Sequence, residues 1–400
     1  MKKSMSLYIN ILTICLLCFF SGTNGLVNST IQACIEAFPQ INPSTIRLTT
    51  TLPSLISLPV MIYASHHISK IGFRKSMILA TLFLTIGGVG PYFLSTNWYL
   101  VLFFRCLTGV GLGFFGLRNA LILCSFQEHT QAKFIGIGNA MNSLASVILT
   151  PIAGMLCAIS WRHPYLLFLV GIVVLLLTIF SLEEPNIVID EESSKFNIKD
   201  LLDYRYIVYL FFYFLACLVL YPILSGMSSF IVLKNLGSLA IAGTLISCHN
   251  IGGFITGFFT DTFERKFKIS TIPLSFLLIT IGQVLALYVR NVVIIGIGSG
   301  LTGVGFFILI STITVYTGAI STDSNKTLRS TLLLVFMQFG MFLSSYFIEY
   351  SHILLKLPTD VESSWLASAL ICGICTVLTF IFKKQLFDVK KKSSVYEFVK

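Results

Sequence analysis

Twelve apolar runs dominate the chain and decide what it can become. They fall at roughly 5–27, 46–68, 75–95, 98–125, 134–158 and 163–182, then at 204–232, 239–261, 268–289, 291–318, 329–350 and 363–382. About 20 apolar residues in a helix cross the hydrocarbon core of a bilayer, so each run is one predicted crossing. Composition agrees: 55% of residues are hydrophobic and 11% charged, where soluble domains carry roughly 25% charged residues. Water cannot be the solvent for most of this surface. The expected fold class is an all-α integral membrane protein of 12 transmembrane helices. The first run, "MKKSMSLYINILTICLLCFFSGTNG", imitates a signal peptide; with eleven spans behind it, it reads as an uncleaved first helix.

The net charge of +10 sorts by side of the membrane. With the N-terminus inside, 20 of the 27 Lys and Arg residues fall on the cytoplasmic face. The opposite face receives Arg47, Arg162, Lys234, Arg290 and Lys356, and Arg105 and Arg118 lie within a span. Positive charge accumulates inside, so both termini are expected in the cytoplasm of a multi-pass cell-membrane protein. The basic balance then calls for no nucleic-acid partner. Cys15/Cys18 and Cys372/Cys375 are formally C-x-x-C, but each pair sits in an apolar helix without histidines or a second pair, so no metal or cofactor is expected.

The halves repeat. "LTGVGLGFF" at 107–115 returns as "LTGVGFF" at 301–307, and "SHHISKIGFRK" (65–75) corresponds to "GFFTDTFERKF" (257–267). The offsets are 194 and 192, each at the same ordinal helix of its half. The division expected is an N-terminal six-helix bundle (1–182), a cytoplasmic linker (183–203), a C-terminal six-helix bundle (204–383) and a basic cytoplasmic tail (384–400). Two six-helix bundles in a 6+6 pseudo-repeat around a central cavity are a recurring transporter design. The G-x-G-x-x-G at 111–116 ("GLGFFG") and its counterpart "GSGLTG" at 298–303 lie inside spans without the strand a nucleotide site needs. They are read as surfaces where helices touch.

With these motifs the chain resembles the major facilitator superfamily over essentially its whole length, and looks closest to its twelve-helix drug and metabolite efflux members. The family's loop between helices two and three resembles G-x-x-x-D-R-x-G-R-R; Gly72, Arg74 and Lys75 keep part of it, while Ser65 and Ser69 replace the first glycine and the acid. Its second copy keeps Gly257, Asp261, Arg265 and Lys266, with Glu264 in place of a glycine. The fourth-helix pattern R-x-x-x-G-x-G-x-G is matched by Arg105, Gly109, Gly111 and Gly113. The fifth-helix antiporter motif survives as Pro151 and Gly154 in "TPIAGM", and "SWRHPYLLF" and "FSLEEP" resemble the two ends of helix six in efflux members. The resemblance implies a secondary active transporter that moves a small organic solute by alternating access, in the efflux direction. Uptake of an anion or organic acid is the alternative within transport. A membrane enzyme or receptor would need a catalytic cluster or an effector domain, and the sequence offers neither.

Residue chemistry suggests further roles. Asp261, at the cytoplasmic end of a helix, can pair with arginines and meet the positive end of a neighbouring helix, which would make a conformational latch. Ordinary inside-positive topology explains the flanking basic residues equally well. Ionisable groups within spans are costly and functional by default. The substrate-cavity candidates are therefore Arg118, Asn142, His249, Asn250 and Gln338. Arg105 and Arg118 are 13 positions apart, about 140° around an ideal helix, so they are expected to serve different faces. Arg105 joins the Gly109/Gly113/Gly116 stripe as a packing and coupling residue. Arg118 either lines the cavity or snorkels to the inner headgroups. His249 titrates nearest to neutral pH, which makes protons the candidate coupling ion. No carboxylate is visible mid-span, and a positively lined cavity favours anionic or neutral solutes. The expected partners are that solute, the bilayer and protons, with the chain a monomer.

Overall fold

The computed structural model describes residues 2–94, 97–126, 128–185, 203–321, 326–357 and 359–387. Within these it is all helix, with twelve helical units long and apolar enough to cross a membrane. They are α1 (Tyr8–Ala37), α2 (Pro43–His66), α3 (Phe73–Phe93), α4 (Trp98–Ile122), α5 (Ile137–Cys157) and α6 (His163–Ser181) in the first half. The second half holds α7 (Tyr204–Leu233), α8 (Leu239–Thr256), α9 (Lys268–Tyr288), α10 (Val292–Ile320), α11 (Leu332–Leu355) and α12 (Asp360–Ile381). Eleven match the apolar runs within a few residues. The first is longer than expected: after Gly22 it tightens into a 3₁₀ segment, Thr23–Thr30, and continues as Ile31–Ala37. Cys34 in that extension is buried. Most of the expected linker (186–202) and of the tail (388–400) lies outside the described residues.

Local chemistry fixes where helices begin. Asn42 caps α2 by accepting from the Ser44 N–H at 3.0 Å, with Pro43 at the first helical position. Pro there loses nothing, because its missing N–H would be unsatisfied in any case. Thr359 caps α12, its Oγ1 accepting from Glu362 N and donating to Glu362 Oε2, both at 3.1 Å. Along the spans, threonines that face the interior return their hydroxyls to the carbonyl four residues back, as Thr81, Thr85, Thr178 and Thr379 do. Those four donors are then not stranded in a medium without water. The outer surface is the reverse of a soluble protein's: Phe103, Phe180, Phe211 and Ile374 are exposed, as a lipid-facing belt requires.

Each half has its own apolar core, one built from residues of α1 to α6 around Phe20, Leu84, Phe168 and Val174, the other from α7 to α12 around Tyr209, Phe276, Ile279 and Trp365. The repeat holds at the level of atoms. Asn97 caps α4 through Tyr99 N (3.1 Å), and Asn291, 194 positions on, caps α10 through Val293 N (2.9 Å). A Cβ on Gly111 would meet Ala80 O at 2.8 Å and Leu84 N at 2.7 Å in α3. One on Gly305 would meet Ser275 O at 2.6 Å and Ile279 N at 3.1 Å in α9. Both glycines exist because two backbones touch there.

The halves meet along two seams, α2 with α11 and α5 with α8. On the first, Thr51 and Ser345 share a hydrogen bond of 2.7 Å, and Gln338 Nε2 donates to Ser57 Oγ at 2.9 Å. Asn42 Nδ2 reaches Glu349 Oε1 at 3.5 Å, and Arg47 pairs with Asp360 of α12 at 2.6 Å. On the second, Ser247 Oγ donates to Val147 O at 3.1 Å, Gly154 abuts Leu239 and Ala240, and Gly243 abuts Thr150 and Pro151. Ser228 adds a bond to Asn28 O at 3.4 Å. These contacts run from mid-membrane to the end of the bundle away from the chain termini.

Candidate functional site

α4 carries the two arginines, and its shape decides what they do. The helix proper ends at Phe115; Gly116 and Leu117 form a turn, and a second helix, Arg118–Ser125, follows. Before the break, Arg105 is fully buried. Its Nε donates to Thr49 O of α2 at 2.6 Å, Nη1 to Thr108 Oγ1 at 3.2 Å, and Nη2 to Asn24 Oδ1 of α1. Below it Gly109 faces Pro53 and Ile56, and Gly113 faces Ser57 and Val60, so the α2–α4 seam is the glycine stripe read in the sequence. Gly111 faces α3 instead.

After the break, Arg118 turns to α1 and α5. It donates to Ser21 Oγ at 3.4 Å, to Asn139 Oδ1 at 3.0 Å and to its neighbour Asn119 at 3.4 Å. Asn142 donates to the same Ser21 Oγ at 2.8 Å. Arg118 and Asn142 thus belong to one polar cluster among α1, α4 and α5, with Ser21, Asn119 and Asn139. Arg105 turns to α2 and Arg118 to α5, and both side chains also reach α1, at Asn24 and Ser21, within one turn of each other.

The other candidates lie elsewhere. His249 is 2% exposed, its Nδ1 lies 3.2 Å from Thr302 Oγ1 of α10, and it packs beside Phe306 and Phe307. It occupies the seam between α8 and α10. Asn250 donates to the carbonyl of Ile246 in its own helix at 3.3 Å. Gln338 sits on the α2–α11 seam between the halves. Pro151 and Gly154 form part of the α5–α8 seam.

The loop between α2 and α3 is anchored in a way the sequence did not announce. Gly72 adopts φ +81°, a left-handed conformation that suits glycine, and opens the helix that follows. The carboxylate of Glu184, just past α6, accepts from Phe73 N at 2.5 Å and Arg74 N at 2.7 Å. The Arg74 guanidinium closes on the Ile179 carbonyl. An acid at a helix N-terminus is stabilised by unpaired N–H groups and by the dipole. Glu184 therefore supplies at α3 an acidic contact where Ser69 has replaced the acid of the motif. In the second copy, Gly257, Asp261 and Arg265 lie on the helix Leu239–Phe267, but their side chains fall outside the described residues. The Lys266 ammonium lies over the ring of Phe267, and that of Lys75 makes no ion pair among the described residues.

Signals for the missed residues are weak. Ser21 and Asn24 look like ordinary small polar residues, Glu184 belongs to a linker, and Arg47 to a loop. Asn139 lies one turn before the candidate Asn142, and that spacing is the one signal for it.

Solved structures share this architecture. A bacterial homologue of the human lysosomal transporter Spinster, inward-facing and unoccupied, superposes with a TM-score of 0.75 at 16% identity, covering 97% of this chain and 99% of that one. The nucleoside transporter NupG gives 0.76 at 12% identity over 94% and 99%. A D-xylose–proton symporter gives 0.77 at 14% over 96% and 99%. At such identities the likeness shows the fold alone. None of the curated proteins matches the chain. The family model of the Major Facilitator Superfamily matches residues 12–345, and with twelve spans in two cores, an atom-level repeat and the α4 glycine seam, the chain belongs to that superfamily of membrane transporters.

Proposed function

We propose that the protein is a secondary active exporter of a small organic anion, working by alternating access with residues 1–182 and 204–383 as the two moving units. The observation that carries the substrate class is Arg118. It stands inside the span, four residues before the end of α4, with the neutral oxygens of Ser21, Asn119 and Asn139 as hydrogen-bond partners and no ion pair among the described residues. A cation there is costly unless an anion or water compensates it. Arg118, Asn119 and Asn139 are also partly exposed together, which leaves the cluster open to a solute that enters from the end of the bundle bearing the termini. A planar carboxylate or a phosphate fits the guanidinium fork, and Asn142 adds an amide beside it.

With both termini in the cytoplasm, as the charge bias supports, the joined end of the bundle is the outer one and the conformation is inward-facing. Export rests on "TPIAGM" and "FSLEEP"; uptake of an organic acid uses the same site in the opposite direction. Asp261, Arg265 and Lys266 remain the proposed latch of the second half, and protons the proposed coupling ion. The test is a panel of organic acids in inverted and right-side-out vesicles with an imposed pH gradient. Accumulation in inverted vesicles of at least one acid, reduced tenfold or more by Arg118→Gln at about the cost of one charged hydrogen bond, supports the assignment. Transport of every anion unchanged in Arg118→Gln would overturn it. An Asp261→Asn variant serves as the transport-dead control.

A further inference from the structure

The deepest cation of the outer seam is Arg47, near the start of α2. It is 2% exposed, and its Nη2 contacts Asp360 Oδ2 of α12 at 2.6 Å, across the two halves. The pairing is only partly used. The Nε of Arg47 makes no hydrogen bond, and the second oxygen of Asp360 is taken by the N–H of Val361 at 2.8 Å. A guanidinium binds carboxylate best through two parallel bonds, and here one of its donors is idle and buried.

We propose that Arg47 is an anion receptor of the outer mouth, occupied in the inward-facing state by the carboxylate of Asp360. The inference rests on the alternating-access reading, because the α2–α12 contact must part when the outer end opens. The two partners face that parting unequally. Asp360 is the more exposed, with 28% of its side chain accessible. It sits in the first turn of α12, whose N–H groups and dipole stabilise a freed carboxylate. Arg47 has no second acid among the described residues and no water-facing surface to retreat to. A small organic carboxylate that took the place of Asp360 would use Nε and Nη2 together and keep the buried charge compensated. Opening toward the outside is then coupled to arrival of an anion. Arg47 is also the first of three cations along one path. Arg105 is tied to Thr49, two residues further down α2, and to Asn24, and Arg118 to Ser21 one turn below.

Hydrogen–deuterium exchange on the full chain in nanodiscs tests this with benzoate as the probe, read over residues 43–51 and 359–365. In the unaltered protein benzoate should raise exchange over 359–365 as Asp360 is displaced, and Arg47→Gln should abolish that response. Asp360→Asn should raise exchange over 43–51 about fivefold, as loss of a local tie does, and benzoate should return it toward the starting rate. The charge-swapped pair, Arg47→Asp with Asp360→Arg, should restore the seam but lose the benzoate effect. If Asp360→Asn raises exchange and benzoate does nothing, the pair is a strut and the receptor is excluded. If Arg47→Gln keeps the response, the anion acts elsewhere and the proposal falls. Arg118→Gln separates the two sites: a benzoate effect that persists in it belongs to Arg47, and one that disappears belongs to the Arg118 cluster, which would overturn this inference while supporting the one above.

Discussion

The two halves share a lattice of glycines but fill it differently. Where the first half places Arg105 against Thr49 O, the second places Ser299 against Leu245 O at 2.7 Å, 194 positions on. Where Gly109 abuts Pro53, Gly303 abuts His249. Backbone contact is therefore repeated between the halves by geometry, while the buried cation at this level of the helix is present only in the first. At the buried level of α4 the first half places an arginine where α10 of the second half places a serine. The scaffold repeats and the side chains on it do not.

The largest test of that contrast is Arg105→Ser, which gives the first half the residue of the second. It strands the Asn24 side chain and leaves a void at a fully buried site, and should cost about 3 kcal/mol, read as a lower unfolding temperature of the purified protein. A neutral result would mean that the charge is there for transport alone. Next come Gly111→Ala and Gly305→Ala. Both push a methyl against a backbone carbonyl of the neighbouring helix, and each should cost about 2 kcal/mol. Equal losses sharpen the equivalence of the halves; one tolerant site would break it. Glu184→Gln, by contrast, loses only the charge at the start of α3. A loss of about 0.5 kcal/mol is expected, and salt should shrink the difference between the two proteins. The smallest effect is expected from His249→Asn. If the histidine belongs to the α8–α10 seam, the pH profile of vesicle transport will not move; a shifted profile would return it to proton coupling.

Much of the architecture was legible in the sequence because lipid imposes it. A span must be apolar for its full length, so hydropathy located all twelve, and the close approach of helices leaves glycines that repeat when the fold does. The polar cluster was harder. Helical-wheel arithmetic sets the two arginines on different faces, and they do reach α2 and α5 respectively; what it cannot give is that both side chains also meet α1. The 3₁₀ tightening of α1 is equally silent in composition, yet it brings Ser21 and Asn24 to those arginines. Arg47 was assigned to the outer surface because the apolar run begins beside it, and Asp360 lies just ahead of the run that became α12. Only their meeting in space marks them out. Glu184 escaped notice because a carboxylate beyond a helix has many possible partners, and the backbone of another helix is not encoded in either segment.

The hydroxyls that join the halves have a kinetic consequence. Ser247 donates to Val147 O across the seam and to Gly243 O in its own helix, both at 3.1 Å. Ser57, which accepts from Gln338, itself donates to Ser54 O at 2.7 Å. Each such serine keeps a carbonyl of its own helix within reach, so the rungs can let go one at a time and none is left without a partner at any stage. Under the alternating access proposed above, a seam made this way would part in many shallow steps instead of over one tall barrier.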